Sequence, residues 1–220
     1  MKAILFDLDG TIVNSEEGIT KCVQYALNAQ GIQEPDLKNL LCFIGPPLGP
    51  VFRDKYKMSE EQVQQAIRKY RERYDVDGIF ECCLYDGIAE CIEKLKKKGY
   101  VIALASSKPE KACRRILEHF GLLPYFDEVA GSTLDGSIST KQQVLEELYR
   151  RVREQGMEKK DMCLIGDTKF DAMGAKEFGI DCVGVTYGFG TREELINAGA
   201  VAVFDRIEEV EVYIETELGI

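Results

Sequence analysis

From about residue 84 onward, two patterns of apolar positions alternate along the chain. Short unbroken apolar runs, YVIALA (100–105), MCLIG (162–166) and CVGVT (182–186), are separated by stretches in which apolar residues recur every three or four positions. Ile88, Cys91, Ile92 and Leu95 form one such stripe, ended by Gly99. Ala112, Ile116, Leu117 and Phe120 form the next, closed by Gly121. Further strands are expected near 127–131 and 201–204. Helices are expected on Val144, Leu145, Leu148, Tyr149 and Val152, around 169–178, near 191–198 and at the end of the chain. Unbroken strands interleaved with amphipathic helices predict an α/β fold, a parallel sheet covered by helices on both faces.

Residues 14–83 follow only the helical pattern. Ile19, Cys22, Val23, Ala26 and Leu27 make one stripe, ended by Gly31. Ser59 and Gln62 have the spacing of a capping box, ahead of Val63, Ala66, Ile67, Tyr70 and Tyr74. Four of the six prolines fall between Pro35 and Pro50. The segment reads as a helical domain inserted after the first strand, which leaves residues 1–13 and 84–220 as the core. A chain of 220 residues is long enough for that division.

Composition narrows the class. The net charge of −10 disfavours nucleic acid polymers and anionic membranes as partners. An anionic small molecule remains open, since one bound cation reverses the field at a single site. No apolar run has the length of a membrane span, and the first residues do not read as a signal peptide, so a cytoplasmic location is expected. The eight cysteines include no CxxC pair and read as reduced thiols, mostly on apolar positions. Oligomeric state is not legible.

The chemistry begins at LFDLDGTIV (5–13). Asp7 and Asp9 point to the same side of a strand, at its carboxyl end, where parallel α/β sheets bind ligands. Two carboxylates so close repel unless a cation or a proton intervenes. Other strands end similarly. YVIALA runs into Ser106 and Ser107, MCLIG into Asp167 with Asp171 four residues on, and Lys141 opens the helix between them. Each has a local alternative: Ser107 with Glu110 and Thr168 with Asp171 are spaced as capping boxes, and Lys141 reads equally as a surface lysine. Together they offer carboxylates for a hard cation, hydroxyls for an oxyanion and one ammonium.

DLDGT, Ser106, Lys141 and GDTKFD resemble the four motifs of the haloacid dehalogenase-like hydrolases, over essentially the whole chain. The resemblance implies a three-layer Rossmann-like core with a helical cap, and a phosphatase acting through an aspartyl-phosphate. It implies Mg2+ held by Asp7, Asp9 through its backbone carbonyl, and Asp167, with Asp171 as a further or indirect ligand. Asp7 becomes the nucleophile and Asp9 the proton donor and acceptor. Thr11, Ser106, Ser107 and Lys141 bind the phosphoryl group, and Lys141 balances its charge. Within the family the chain resembles the phosphoglycolate-phosphatase-like branch, and FIGPPL (43–48) and GSTLDGS (131–137) are similar to a 5′-nucleotidase-like subgroup, which implies a small phosphomonoester such as phosphoglycolate or a nucleoside 5′-monophosphate. Asn14-Ser15, STK (139–141) and YDG (85–87) depart from the usual family pattern. A phosphoglucomutase of the same family and a non-catalytic phospho-receiver domain are the alternatives.

Other features carry less. GFGTRE (188–193) lacks the third glycine of a dinucleotide fingerprint. His119, the one histidine, reads as structural, and Arg53 as an exposed cap residue. The loop IGPPLG (44–49) is expected over the leaving group of the substrate.

Overall fold

The structure, a computed structural model, describes residues 2–217; residue 1 and residues 218–220, at the ends of the expected core, lie outside the described residues. The chain begins with β1 (Ala3–Phe6) and β2 (Val13–Asn14). Then come α1 (Glu16–Ala29), α2 (Leu48–Tyr56), α3 (Glu60–Tyr74) and β3 (Cys83–Leu84). The remainder alternates: α4 (Ile88–Lys97), β4 (Val101–Pro109), α5 (Glu110–His119), β5 (Glu128–Ser132), α6 (Lys141–Val152), β6 (Met162–Gly166), α7 (Lys169–Phe178), β7 (Asp181–Val185), α8 (Arg192–Ala198), β8 (Ala202–Phe204) and α9 (Ile207–Thr216). Two compact units result. One holds the described residues up to Val13 and from Leu84 onward; the other is Asn14–Cys83.

The first unit is built on a six-stranded sheet in the order β5-β4-β1-β6-β7-β8. Its strand pairs are parallel, with Ala3 opposite Val101 on one side and Met162 on the other. Burial on both faces accounts for the unbroken apolar runs, and Ala3, Ile4, Leu5 and Phe6 are all inaccessible to solvent. Ala3, Leu5, Ala103 and Leu164 pack into one core with Val144, Leu145 and Leu148 of α6 and Ala172, Ala175 and Phe178 of α7. Ile4, Phe6, Ile102 and Leu104 alternate to the other face, where α4 and α5 contact β4 and α9 lies on α4.

The strand order positions the site. From β1 the chain moves outward through β4 and β5, then returns to the opposite side of β1 for β6, β7 and β8. The sheet therefore reverses its winding at β1, and the carboxyl end of that strand is where sheets of this kind bind ligands. Asp7 follows β1 directly, and its N–H still extends the ladder by donating to Ile165 O at 2.9 Å.

Two local expectations for this unit differ from the structure. β4 continues past Ala105 to Pro109, because its register with β5 shifts after Ala105 and resumes at Pro109 opposite Ser132. Ser107 and Glu110 form no capping box: Pro109 stands at the N-cap of α5 without a side-chain bond. Glu110 instead bonds Arg114 and Arg151.

The second unit packs α1 against α3. Cys22, Val23, Ala26 and Leu27 on α1 are buried, as are Val63, Ala66, Tyr70 and Tyr74 on α3. Ser59 and Gln62 do form a reciprocal capping box. Arg73 grips Glu81 through two nitrogens at 2.7 and 2.9 Å. Leu48 and Gly49, expected in a loop, are the first residues of α2, and Pro47 is its N-cap. That order suits a proline, whose fixed φ is compatible with a helix start. Arg53 pairs with Glu60 at 2.7 Å, both side chains half or more exposed. Among the described residues all eight cysteines are free thiols, five of them buried, and no helix is long and apolar enough to cross a membrane.

Candidate active site

Beyond β1 the backbone turns tightly. The N–H groups of Ile12 and Val13 donate to Leu8 O at 2.9 and 3.0 Å, and Gly10 N–H donates to Val13 O at 2.8 Å. Gly10 takes φ +88°, which a side chain rarely tolerates, and a Cβ there would overlap the Asp167 carboxylate. The turn thus brings the end of β1 against the end of β6. Thr11 is fully buried, and its hydroxyl donates to Asp167 Oδ1 at 3.2 Å.

Lys141 is no surface residue. It opens α6 behind a capping box of Thr140 and Gln143, and only 5% of it is exposed. Its ammonium lies 2.8 Å from Asp7 Oδ1 and 2.8 Å from Asp171 Oδ1, and donates to Ala105 O at 2.7 Å. Asp171 does two jobs. Its Oδ2 accepts from Thr168 N at 3.0 Å and Thr168 Oγ1 at 2.8 Å, capping α7, while Oδ1 faces the ammonium. The capping alternative for Thr168 and Asp171 holds alongside the charge contact.

Asp7, Asp167 and Asp171 are buried, and one oxygen from each lies within 4.8 Å of the other two. Burial pushes the Asp7 carboxyl up to about 6, against the opposing pull of Lys141 and with Asp171 adding to the rise. Burial, then the charges of Asp171 and Asp7, hold Asp167 well above the usual carboxylate range. Burial disfavours the Lys141 ammonium, yet Asp171 and Asp7 outweigh it and keep the lysine above its ordinary value. Three acids around one ammonium leave an excess of negative charge. Asp7 Oδ1 and Asp171 Oδ1 accept no well-directed hydrogen bond. An all-oxygen cluster of this kind fits a hard divalent cation such as magnesium.

Asp9 lies apart from that cluster. Its two carboxylate oxygens each accept from Lys108 Nζ at 2.8 Å, and the two side chains are 11% and 7% exposed. Ser106 is buried at the end of the sheet, and its Oγ accepts from Lys108 N at 3.3 Å. Ser107, the other serine expected to bind substrate, is half-buried beside it. His119 sits at the end of α5 with its ring against Phe120, 4.8 Å between centroids.

A family model described as haloacid dehalogenase-like hydrolase matches residues 4–185. The chain belongs to the haloacid dehalogenase-like hydrolases. This hydrolase is 42% identical over 192 residues to a 5′-nucleotidase of Pseudomonas aeruginosa, covering 87% of this chain and 86% of that one. It is 34% identical to the tyrosine-protein kinase PtkA of Mycobacterium tuberculosis, over 91% of this chain and 67% of that one. It is 30% identical to a phosphoglycolate phosphatase of Haemophilus influenzae, over 93% and 94%. The crystal structure of a predicted phosphatase from Clostridium acetobutylicum superposes with a TM-score of 0.90 at 42% identity, covering 97% of both chains. Family and relatives together make the hydrolase a phosphatase acting on small phosphorylated substrates.

Two parts of the hydrolase's site escape sequence reasoning. Lys108 is one. The other is the loop GFG (188–190). Phe189 N–H donates to Asp167 Oδ2 at 2.8 Å, and the preceding Tyr187 hydroxyl donates to Thr11 O at 3.0 Å. A Cβ at Gly188 would overlap Gly10 O and Asp167 Oδ2. The glycines serve close approach to an aspartate rather than to a dinucleotide.

Proposed function

We propose that this phosphatase is magnesium-dependent and works through an aspartyl-phosphate on Asp7, hydrolysing a small phosphomonoester. One observation carries the reading: at the winding reversal, Asp7 stands among Lys141, Asp167 and Asp171, while Asp9, two residues on, is held separately by Lys108. The two carboxylates of the opening motif thus occupy different environments, which suits different roles.

In this reading an Asp7 oxygen forms a bond to phosphorus as the ester P–O bond breaks. The electron pair stays on the leaving oxygen, which takes the carboxyl proton of Asp9. Water then attacks phosphorus, gives its proton to the Asp9 carboxylate, and the bond from Asp7 to phosphorus breaks. The Ser106 hydroxyl and Lys141 receive the phosphoryl oxygens, and Thr11 and Phe189 keep Asp167 oriented. Asp7, Asp167, Asp171 and the Asp9 backbone carbonyl would hold magnesium, which when bound neutralises charge on the phosphoryl group. Residues 14–83 act as a cap that selects the substrate and excludes water during the first transfer.

The 5′-nucleotidase and phosphoglycolate phosphatase relatives support a nucleoside 5′-monophosphate or a phosphoglycolate-like acid as substrate. Phosphate release measured across a panel of phosphorylated metabolites tests this, with Asp7→Asn as the control. A ranking led by one of those two classes, abolished by Asp7→Asn, is expected; turnover retained by the folded variant would remove the nucleophile assignment.

A further inference from the structure

Lys108 has no assigned part in the mechanism above, yet it is among the most enclosed cations in the hydrolase. We infer that Lys108 is a positioning residue that fixes the Asp9 carboxyl group for proton transfer to the leaving oxygen; this rests on the proton-transfer role proposed for Asp9.

The placement is built in rather than incidental. Lys108 lies where the register of β4 against β5 shifts, between Ala105 and Pro109. Such irregularities re-aim side chains at strand ends. Its backbone is tied on both sides, the N–H to Ser106 Oγ at 3.3 Å and the carbonyl to Cys113 Sγ at 3.6 Å. Gly131 on the adjacent strand admits that carbonyl, since a Cβ there would stand 2.6 Å from it. The ammonium meets both Asp9 oxygens at an equal 2.8 Å with both side chains nearly enclosed. Contact to both oxygens fixes the plane of the carboxyl group as well as its position. A single contact would leave rotation about χ2 open, and that torsion is broad for aspartate.

Lys108 differs in this from Lys141. Lys141 faces the attacking side, between Asp7 and Asp171. Lys108 holds both oxygens of the acid that serves the leaving group. A group that acts through Asp9 matters in proportion to the leaving oxygen's need for a proton. Alkoxides need one; a nitrophenolate departs without it. General acids contribute on the order of 10²–10⁴-fold.

The test compares p-nitrophenyl phosphate with an alkyl phosphate by kcat/KM in the magnesium-supplemented full chain, for Lys108→Met, Lys108→Gln, Asp9→Asn and the double variant Asp9→Asn/Lys108→Met. The ratio of the two rates on one preparation is independent of the folded fraction. The expected result is that each lysine variant loses on the order of 10²-fold more on the alkyl ester than on the nitrophenyl ester. Asp9→Asn should show the same bias, and the double variant should lose no more than Asp9→Asn alone. Equal losses on both esters in the lysine variants, with the bias present in Asp9→Asn, would overturn the positioning role and leave Asp9 as the acid. Equal losses in Asp9→Asn itself would overturn the proton-transfer role and this inference with it. A double variant much worse than Asp9→Asn would show that Lys108 acts elsewhere, on the phosphoryl group for instance, and would also overturn it.

Discussion

Replacing Lys141 with methionine removes the ammonium and keeps an unbranched apolar stem of similar length where the lysine runs past Gly174. Three contacts disappear: Asp7 Oδ1 and Asp171 Oδ1, each at 2.8 Å, and Ala105 O at 2.7 Å. Exchanging a whole buried ion pair for apolar groups is often neutral, but here both acids stay behind. Removing one partner of a buried pair costs about 3–5 kcal/mol. Protonation limits the damage. From an ordinary aspartate pKa of about 3.9, neutralising one carboxylate costs about 4 kcal/mol at pH 7 and about 1.5 kcal/mol at pH 5. The destabilisation should therefore be about 3–5 kcal/mol at pH 7 and shrink to about 1–2 kcal/mol at pH 5. For a chain of this length those values correspond to Tm losses of roughly 6–20 °C and roughly 2–8 °C. The assay is thermal unfolding of the metal-free wild type and Lys141→Met at both pH values. A loss under about 2 °C at pH 7, or one that fails to shrink at pH 5, would refute the argument that the ammonium offsets the charge of Asp7 and Asp171.

Further outcomes follow from the same geometry. Because burial raises the Asp7 carboxyl in the folded state to about 6, its stabilising contribution is present at low pH and lost as pH rises through about 6. Metal-free protein should therefore be more stable at pH 5 than at pH 7 by about 1 kcal/mol from this group, and Asp167 adds in the same direction. Flat or opposite Tm behaviour over that window would contradict it. Protons and magnesium compete for the same oxygens, so the Tm increase produced by added magnesium should diminish as pH falls below about 6. Gly188→Ala forces the loop away from Asp167 and should weaken that magnesium response by on the order of 10–100-fold in affinity, the effect expected of residues that orient metal ligands. An unchanged magnesium titration would show that the loop does not orient Asp167.

The sheet and the ends of its strands were legible because their signals are local and periodic. Unbroken apolar runs fix which segments are buried on both faces, and the polar residue after each run must lie at the ligand-binding edge. Asp7, Ser106 and Asp167 all stand at such positions, and Asp171 follows in the first turn of α7. Lys141 was ambiguous by pattern alone, since a lysine opening a helix reads the same whether it faces solvent or two buried carboxylates. Lys108 was hidden for a different reason. The serine-proline-glutamate pattern around it reads as a helix start, and only the register shift in β4 turns the chain there into strand. The role of GFG (188–190) depends on Gly10 and Asp167, roughly 180 and 20 residues away, and no short-range rule reaches that far. The start of α2 at Leu48 was obscured by prolines and glycines that mark turns as readily as helix N-termini.

The central claim is that phosphate leaves its ester onto Asp7. Asp9→Asn should slow hydrolysis of that intermediate while leaving the nucleophile intact. The decisive measurement is therefore acid quenching of magnesium-loaded Asp9→Asn during turnover of p-nitrophenyl phosphate, followed by peptide mapping by mass spectrometry. The account predicts one phosphoryl group on the peptide carrying Asp7, absent from Asp7→Asn. Phosphoryl transfer to another residue, or nitrophenol release with no phosphorylated peptide at any quench time, would contradict it.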